Sequence, residues 1–231
     1  MALVEMLNVT KKYGNKVALN QITLGMTAGR VIGLLGPNGS GKTTMIKILA
    51  GILTPDQGDV RINGNEIGPL TKSVVSYLPD VSYIHEGWKV KEVLNYFSDF
   101  YEDFRQEVAE RMLRSLQIDV EARYKTLSKG MKEKVQLILV MSRNAQLYLL
   151  DEPIAGVDPA SRDYILNTII QNYNPQASIL ISTHLISDIE NILEDVIFIN
   201  QSNIALVSSV DAIRMEHGKS VDEYFREVYR C

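Results

Sequence analysis

The sequence predicts an α/β fold with a block of helices set into it, and three observations carry that prediction. An apolar run, Val31-Ile32-Gly33-Leu34-Leu35, leads into a glycine-rich loop and a helix start. A second, nearly continuous apolar run, Gln146 to Leu150, ends in two adjacent carboxylates, Asp151-Glu152. Strand-like and helix-like segments alternate around these two, the pattern of a largely parallel sheet covered by helices.

Taken in order, Leu3 to Val9 and Val17 to Leu24 read as strands joined by a turn at Lys11-Lys12-Tyr13-Gly14-Asn15. Val31 to Leu35 reads as a buried strand, and a helix follows from Lys42 to about Ala50. Turn clusters at 54–58 and 63–65 bracket a short strand, Asp59 to Ile62, and Val74 to Leu78 is a further strand. From Lys89 to Arg123 the period becomes helical, with Phe104, Val108, Met112 and Leu116 four residues apart. Asp103 is the expected N-cap there, with Gln106 three residues on. Another helix starts at Ser128. The pair Asp158-Pro159 starts the next, as an N-cap followed by proline at the first helical position. Ser178 to Ser182 is strand-like, Val196 to Ile199 and Ile204 to Val207 form a hairpin around Gln201-Ser202-Asn203, and an amphipathic helix carries Val221, Tyr224, Phe225 and Val228. The expected organisation is one domain, 1–231, with residues 89–143 as a helical subdomain inserted in it.

The glycine loop carries the chemistry. Gly36-Pro37-Asn38-Gly39-Ser40-Gly41-Lys42-Thr43-Thr44 fits G-x-x-x-x-G-K-T in the context that gives it meaning, after a strand and opening a helix. Its glycines let successive backbone N–H groups turn inward on an anion, and the helix beginning near Gly41 aims its positive end at the same point. Lys42 then reaches the β- and γ-phosphates, and the Thr43 hydroxyl is placed to ligate Mg²⁺. A chance glycine turn is the plain alternative; a strand ending in Asp151-Glu152 argues against it. Asp151 at the carboxyl end of that strand is placed to hold Mg²⁺ beside Thr43, and Glu152 to polarise an attacking water. Ser128 caps a helix, and the same geometry offers a hydroxyl and free N–H groups to an anion. Because the first anion already has its cradle, a second such helix end fits a phosphate held by another subunit.

Together these residues resemble the ATP-binding subunit of an ABC transporter over nearly the whole chain, from Tyr13 to beyond His184. The resemblance implies a P-loop NTPase core with an antiparallel β subdomain, and Leu127-Ser128-Lys129-Gly130-Met131 stands at its LSGGQ signature. Asp151-Glu152 resembles the end of its Walker B strand, Ala155-Gly156-Val157-Asp158 its D-loop, and His184 its switch histidine. Tyr13 falls where the family stacks an aromatic ring on adenine, and Asp80 where it usually carries a metal-side glutamine. The implied cofactors are ATP and Mg²⁺. The implied partners are a second ATP-binding subunit, identical or paralogous, and a separate integral membrane permease, at the cytoplasmic face of the cell membrane. The compact length and signature resemble bacterial drug, bacteriocin or sodium exporters.

Two departures stand out. Lys129 and Met131 replace a glycine and a glutamine of the signature while Ser128 and Gly130 remain; Lys129 either crowds the phosphate or adds a charge to it. Asp80 is shorter than glutamine and acceptor-only when ionised, so it reaches a metal directly or through water.

Composition bounds the rest. The formal charge of -4 and pI of about 5.5 disfavour a nucleic-acid-binding ATPase, the main rival class. A small-molecule kinase would leave Ser128, Gly130 and His184 without work. No apolar run approaches the length of a membrane span, and the first residues lack the pattern of a secretion signal. The lone cysteine, Cys231, has no internal partner, which suits a reducing cytoplasm. The aromatic block Trp88 to Tyr101, with Tyr96, Phe97 and Phe100, reads equally as a docking surface or a core helix.

Overall fold

The computed structural model describes residues 2–155 and 157–229, so Gly156 and Cys231 lie outside the described residues. β1 (Ala2–Tyr13) and β2 (Lys16–Thr27) form an antiparallel hairpin. Its turn is tighter than the sequence predicts: Lys11 and Lys12 still pair with Leu19 and Val17, and Gly14, at φ 57, makes the reversal. β3 (Val31–Leu35) is buried at every position, and α1 (Lys42–Leu49) follows it. β4 (Gln57–Ile62) and β5 (Asn65–Glu66) extend the hairpin into a four-stranded sheet, ordered β2-β1-β4-β5.

α2 (Pro69–Val74), which periodicity did not indicate, runs straight into β6 (Val75–Leu78). α3 (Val90–Phe100) and α4 (Gln106–Ser115) make up most of the helical block, and α5 (Lys129–Met141) leads back to the sheet. β7 (Leu147–Asp151), α6 (Pro159–Asn172), β8 (Ser178–Thr183), the single turn α7 (Ile186–Ile189) and the hairpin β9 (Asp195–Asn200) and β10 (Asn203–Ser209) follow. α8 (Val210–His217) and α9 (Val221–Val228) come last. The larger sheet is ordered β10-β9-β3-β8-β7-β6, with every pairing parallel except β10 on β9.

Three cores hold this arrangement. α1 is clamped between the two sheets, burying Met45, Ile46, Ile48 and Leu49 against Ile32, Leu34, Leu147 and Leu149 on one side and Val4, Met6 and Ile22 on the other. The opposite face of the large sheet packs against α5 to α9. A third core lies within the helical block, around Phe97, Leu113 and Tyr124. One expectation fails there. Arg105, not Asp103, stands at the N-cap of α4, because the Asp103 carboxylate is taken by the Arg143 guanidinium at 2.9 and 3.1 Å. Arg143 is buried, and it also donates to the carbonyls of Val75 and Ser73, tying the helical block to the start of β6.

Candidate nucleotide site

The parallel pairing of β3, β8 and β7 brings three chain crossings to one edge of the sheet. The glycine loop leaves β3, Glu152 follows β7, and His184 follows β8. Ligands bind at this carboxyl edge of open parallel sheets.

The loop glycines are there for space as well as conformation. A Cβ on Gly36 would lie 2.3 Å from the Ile199 carbonyl oxygen, and one on Gly41 2.4 Å from that of Ala18. Gly41 also holds φ 118, a conformation L side chains rarely adopt. The turn of the β9–β10 hairpin buttresses the loop from behind: the Ser202 N–H donates to the Ser40 carbonyl at 3.2 Å. The Ser40 hydroxyl is buried with no hydrogen-bond partner among the described residues.

Lys42 is only 6% exposed. Its ammonium donates to the Gly36 and Pro37 carbonyls at 2.8 and 3.3 Å and stands 3.8 Å from Glu152 Oε1. Burial lowers its pKa, opposed by the charges of Glu152 and Asp151. Glu152 Oε2 meets His184 Nδ1 at 3.0 Å. Glu152 has φ 50, left-handed backbone that is costly for a residue with a side chain. Its N–H is held by both the Ser182 carbonyl, at 3.1 Å, and the Ser182 hydroxyl, at 3.0 Å.

Asp151 is buried, and its two carboxylate oxygens differ. Oδ1 accepts from Ser182 Oγ at 2.6 Å and Thr43 Oγ1 at 3.2 Å. Oδ2 is buried with no hydrogen-bond partner among the described residues. Burial raises the Asp151 pKa; the Ser182 and Thr43 hydrogen bonds oppose this, and Asp80 and Glu152 add to it. A bare, buried carboxylate oxygen beside a threonine hydroxyl suits a hard divalent cation. No cluster of three His, Cys, Asp or Glu side chains that could hold a metal occurs among the described residues. Mg²⁺ needs none: it is typically held by one or two protein oxygens, water and the phosphates it accompanies.

The other residues singled out in the sequence are more dispersed. Tyr13 is half-exposed and pairs with Lys16, whose ammonium would be 4.0 Å from a Cβ on Gly39, so this hairpin end lies beside the loop. Asp80 is exposed after β6, the strand next to β7. Ser128 caps α5, its hydroxyl accepting from the Met131 N–H at 3.3 Å. Neither Ser128 nor Gly130 makes a hydrogen bond to the glycine loop among the described residues. Asp158 immediately precedes α6 and its carbonyl accepts from the Arg162 N–H at 3.1 Å, as the capping role requires. Ser182 is the residue that sequence reasoning did not assign to the site. It is set opposite Asp151 by the β7–β8 register, and no local motif encodes that pairing.

The glycine loop thus gathers Lys42, Thr43, Asp151 and Glu152 at the carboxyl edge of the sheet. That arrangement defines the P-loop nucleotide hydrolases. The family model of the ABC transporter matches residues 19–155. YtrB, an ABC transporter ATP-binding protein of Bacillus subtilis (strain 168), is 28% identical over 94% of this chain and 75% of its own length. The SkfA peptide export ATP-binding protein SkfE of the same organism is 30% identical over 88% of each chain. The Nod factor export ATP-binding protein I of Cupriavidus metallidurans is 29% identical over 83% of this chain and 66% of its own. A solved ATP-binding subunit of an ABC transporter superposes with TM-score 0.89 at 26% identity, covering 99% of this chain and 100% of that one. The chain belongs to the ABC transporter family as an ATP-binding, ATP-hydrolysing subunit.

Proposed function

We propose that this chain drives an exporter from the cytoplasmic face of the membrane, closing with a second ATP-binding subunit around two MgATP. Each glycine loop binds one triphosphate, with Tyr13 on the adenine and Thr43, Asp151 and Asp80 on the metal side. Lys42 neutralises charge on the transferring phosphoryl group, Glu152 polarises the water, and His184 holds Glu152 and contacts the γ-phosphate. Bound Mg²⁺ would neutralise phosphate charge. The partner supplies Ser128, Gly130 and the Asp158 region.

The observation that carries the divided site is Gly130. It has no positive φ, and a Cβ there would meet nothing within 4 Å. Gly130 stands at the second position of α5, just past the Ser128 cap, where a missing side chain leaves the helix end bare. Among the described residues nothing packs against that bare position, which suits close approach of a partner's phosphate. Lys129 is directed back to Glu133, 3.9 Å away, leaving the helix end open. A groove of about 1040 Å³ lined by Val81, Tyr83, Phe97 and Phe100 offers a seat for a permease. In the aromatic block Phe97 is buried while Phe100 is 64% exposed, which supports a core face and leaves a second face for docking. The direction of transport follows the relatives whose names specify export.

Glu152→Gln should lower turnover by roughly 10²–10⁴-fold, the usual contribution of such a base. With MgATP it should elute as a dimer on size exclusion, and adding Ser128→Arg should return it to a monomer. A monomer at every ATP concentration would refute the divided site.

A further inference from the structure

Two buried oxygens near the magnesium side have no hydrogen-bond partner among the described residues: Asp151 Oδ2 and the Tyr77 hydroxyl. Their positions are related. Tyr77 pairs with Leu149 across β6 and β7, and Asp151 lies two residues beyond Leu149, so all three side chains share the sheet face that packs on α1. The Tyr77 ring is partly exposed and lines the apolar groove, while its hydroxyl is buried. Burial raises the phenol pKa, and the charges of Asp151 and then Asp80 push it further. The phenol is therefore neutral and able to donate.

An unmatched phenol is costly. Burying a hydroxyl without a partner costs about 1–3 kcal/mol, and phenylalanine would fill the same space without that cost. Tyr77 makes sense here if it acquires a partner when the site is loaded.

We infer that Tyr77 is a positioning residue for the metal: its hydroxyl holds a water of the Mg²⁺ shell beside Asp151. Its ring meanwhile forms part of the groove wall, so one side chain touches both the metal side and the docking groove. The inference rests on Asp151 being the magnesium-side carboxylate, and the experiment separates the two.

The test is a Mg²⁺ titration of fluorescent ATP-analogue binding to the full chain, with melting temperatures measured without ligand. Tyr77→Phe should keep its metal-free nucleotide affinity and melt no lower than the parent. It should need roughly fivefold more Mg²⁺ for half-maximal enhancement, about what one net hydrogen bond contributes. A Mg²⁺ titration identical to the parent's would overturn the assignment. So would a fall in melting temperature together with metal-free affinity, which marks a purely structural tyrosine. Asp151→Asn is the control. If it keeps the parent's Mg²⁺ response, the metal reading itself fails; if it loses that response while Tyr77→Phe does not change, only the tyrosine's role fails.

Discussion

Glu152 shows how a single residue is made both strained and useful. Its left-handed backbone is paid for by two hydrogen bonds from one N–H to Ser182, and the reward is a carboxylate held between Lys42 and His184. Ser182 is therefore central, since its hydroxyl also donates to Asp151. Ser182→Ala should destabilise the protein by about 1–3 kcal/mol in urea unfolding, because it leaves buried polar atoms short of partners. It should also slow turnover by loosening Glu152. An unchanged midpoint with unchanged turnover would show that the strand pairing alone sets both acids.

At the scale of elements, caps and ion pairs set the boundaries. α9 opens with a reciprocal capping box: the Ser220 hydroxyl accepts from the Glu223 N–H at 3.1 Å, and the Glu223 carboxylate accepts from the Ser220 N–H at 2.9 Å. The bond from the Ser220 N–H, aided by the Ser220 side chain, lowers the Glu223 pKa below its usual 4.5. A depressed carboxylate pKa contributes stability that is complete above the unfolded value and is lost as pH falls through the folded one. The melting temperature of the parent should therefore fall below about pH 4.5 more steeply than that of Glu223→Gln. Equal slopes would remove the box from the stability of α9. Asp103 carries the contrary lesson. Its spacing to Gln106 imitates a capping box, yet a buried arginine forty residues later competes for the carboxylate and wins. Charge-assisted bonds to a guanidinium outweigh a single cap.

Across the whole molecule, α5 joins two cores. Leu137, Val140 and Met141 pack with the large sheet, whereas Val135, Ile138 and Leu139 belong to the helical block. The helix that Ser128 caps is thereby anchored in both. Ligand should act on the molecule as a unit: MgATP at 100 times its Kd adds about 2.7 kcal/mol to folding, visible as a higher melting temperature. Lys42→Ala should abolish most of that rise. A variant that still gains the full increment would show that the lysine does not grip the triphosphate.

The glycine loop, the Asp151-Glu152 strand and the capped starts at Ser128 and Asp158 were legible because each is a local pattern. Their backbone demands and their chemistry fall within a few consecutive residues. The strands of the large sheet were legible for the same reason, being short apolar runs between turn residues. Pairing is not local. That Ser182 faces Asp151, that Tyr77 shares a face with both Leu149 and Asp151, and that Arg143 takes Asp103 all follow from strand register and packing between segments far apart in the chain. α2 and α8 were also invisible: each runs directly on from or into a strand, with no turn residues to mark the boundary. Sequence alone determined the class of protein; tertiary structure decided which groups lie beside the expected site residues, because burial and unmatched hydrogen bonds exist only once the chain has packed.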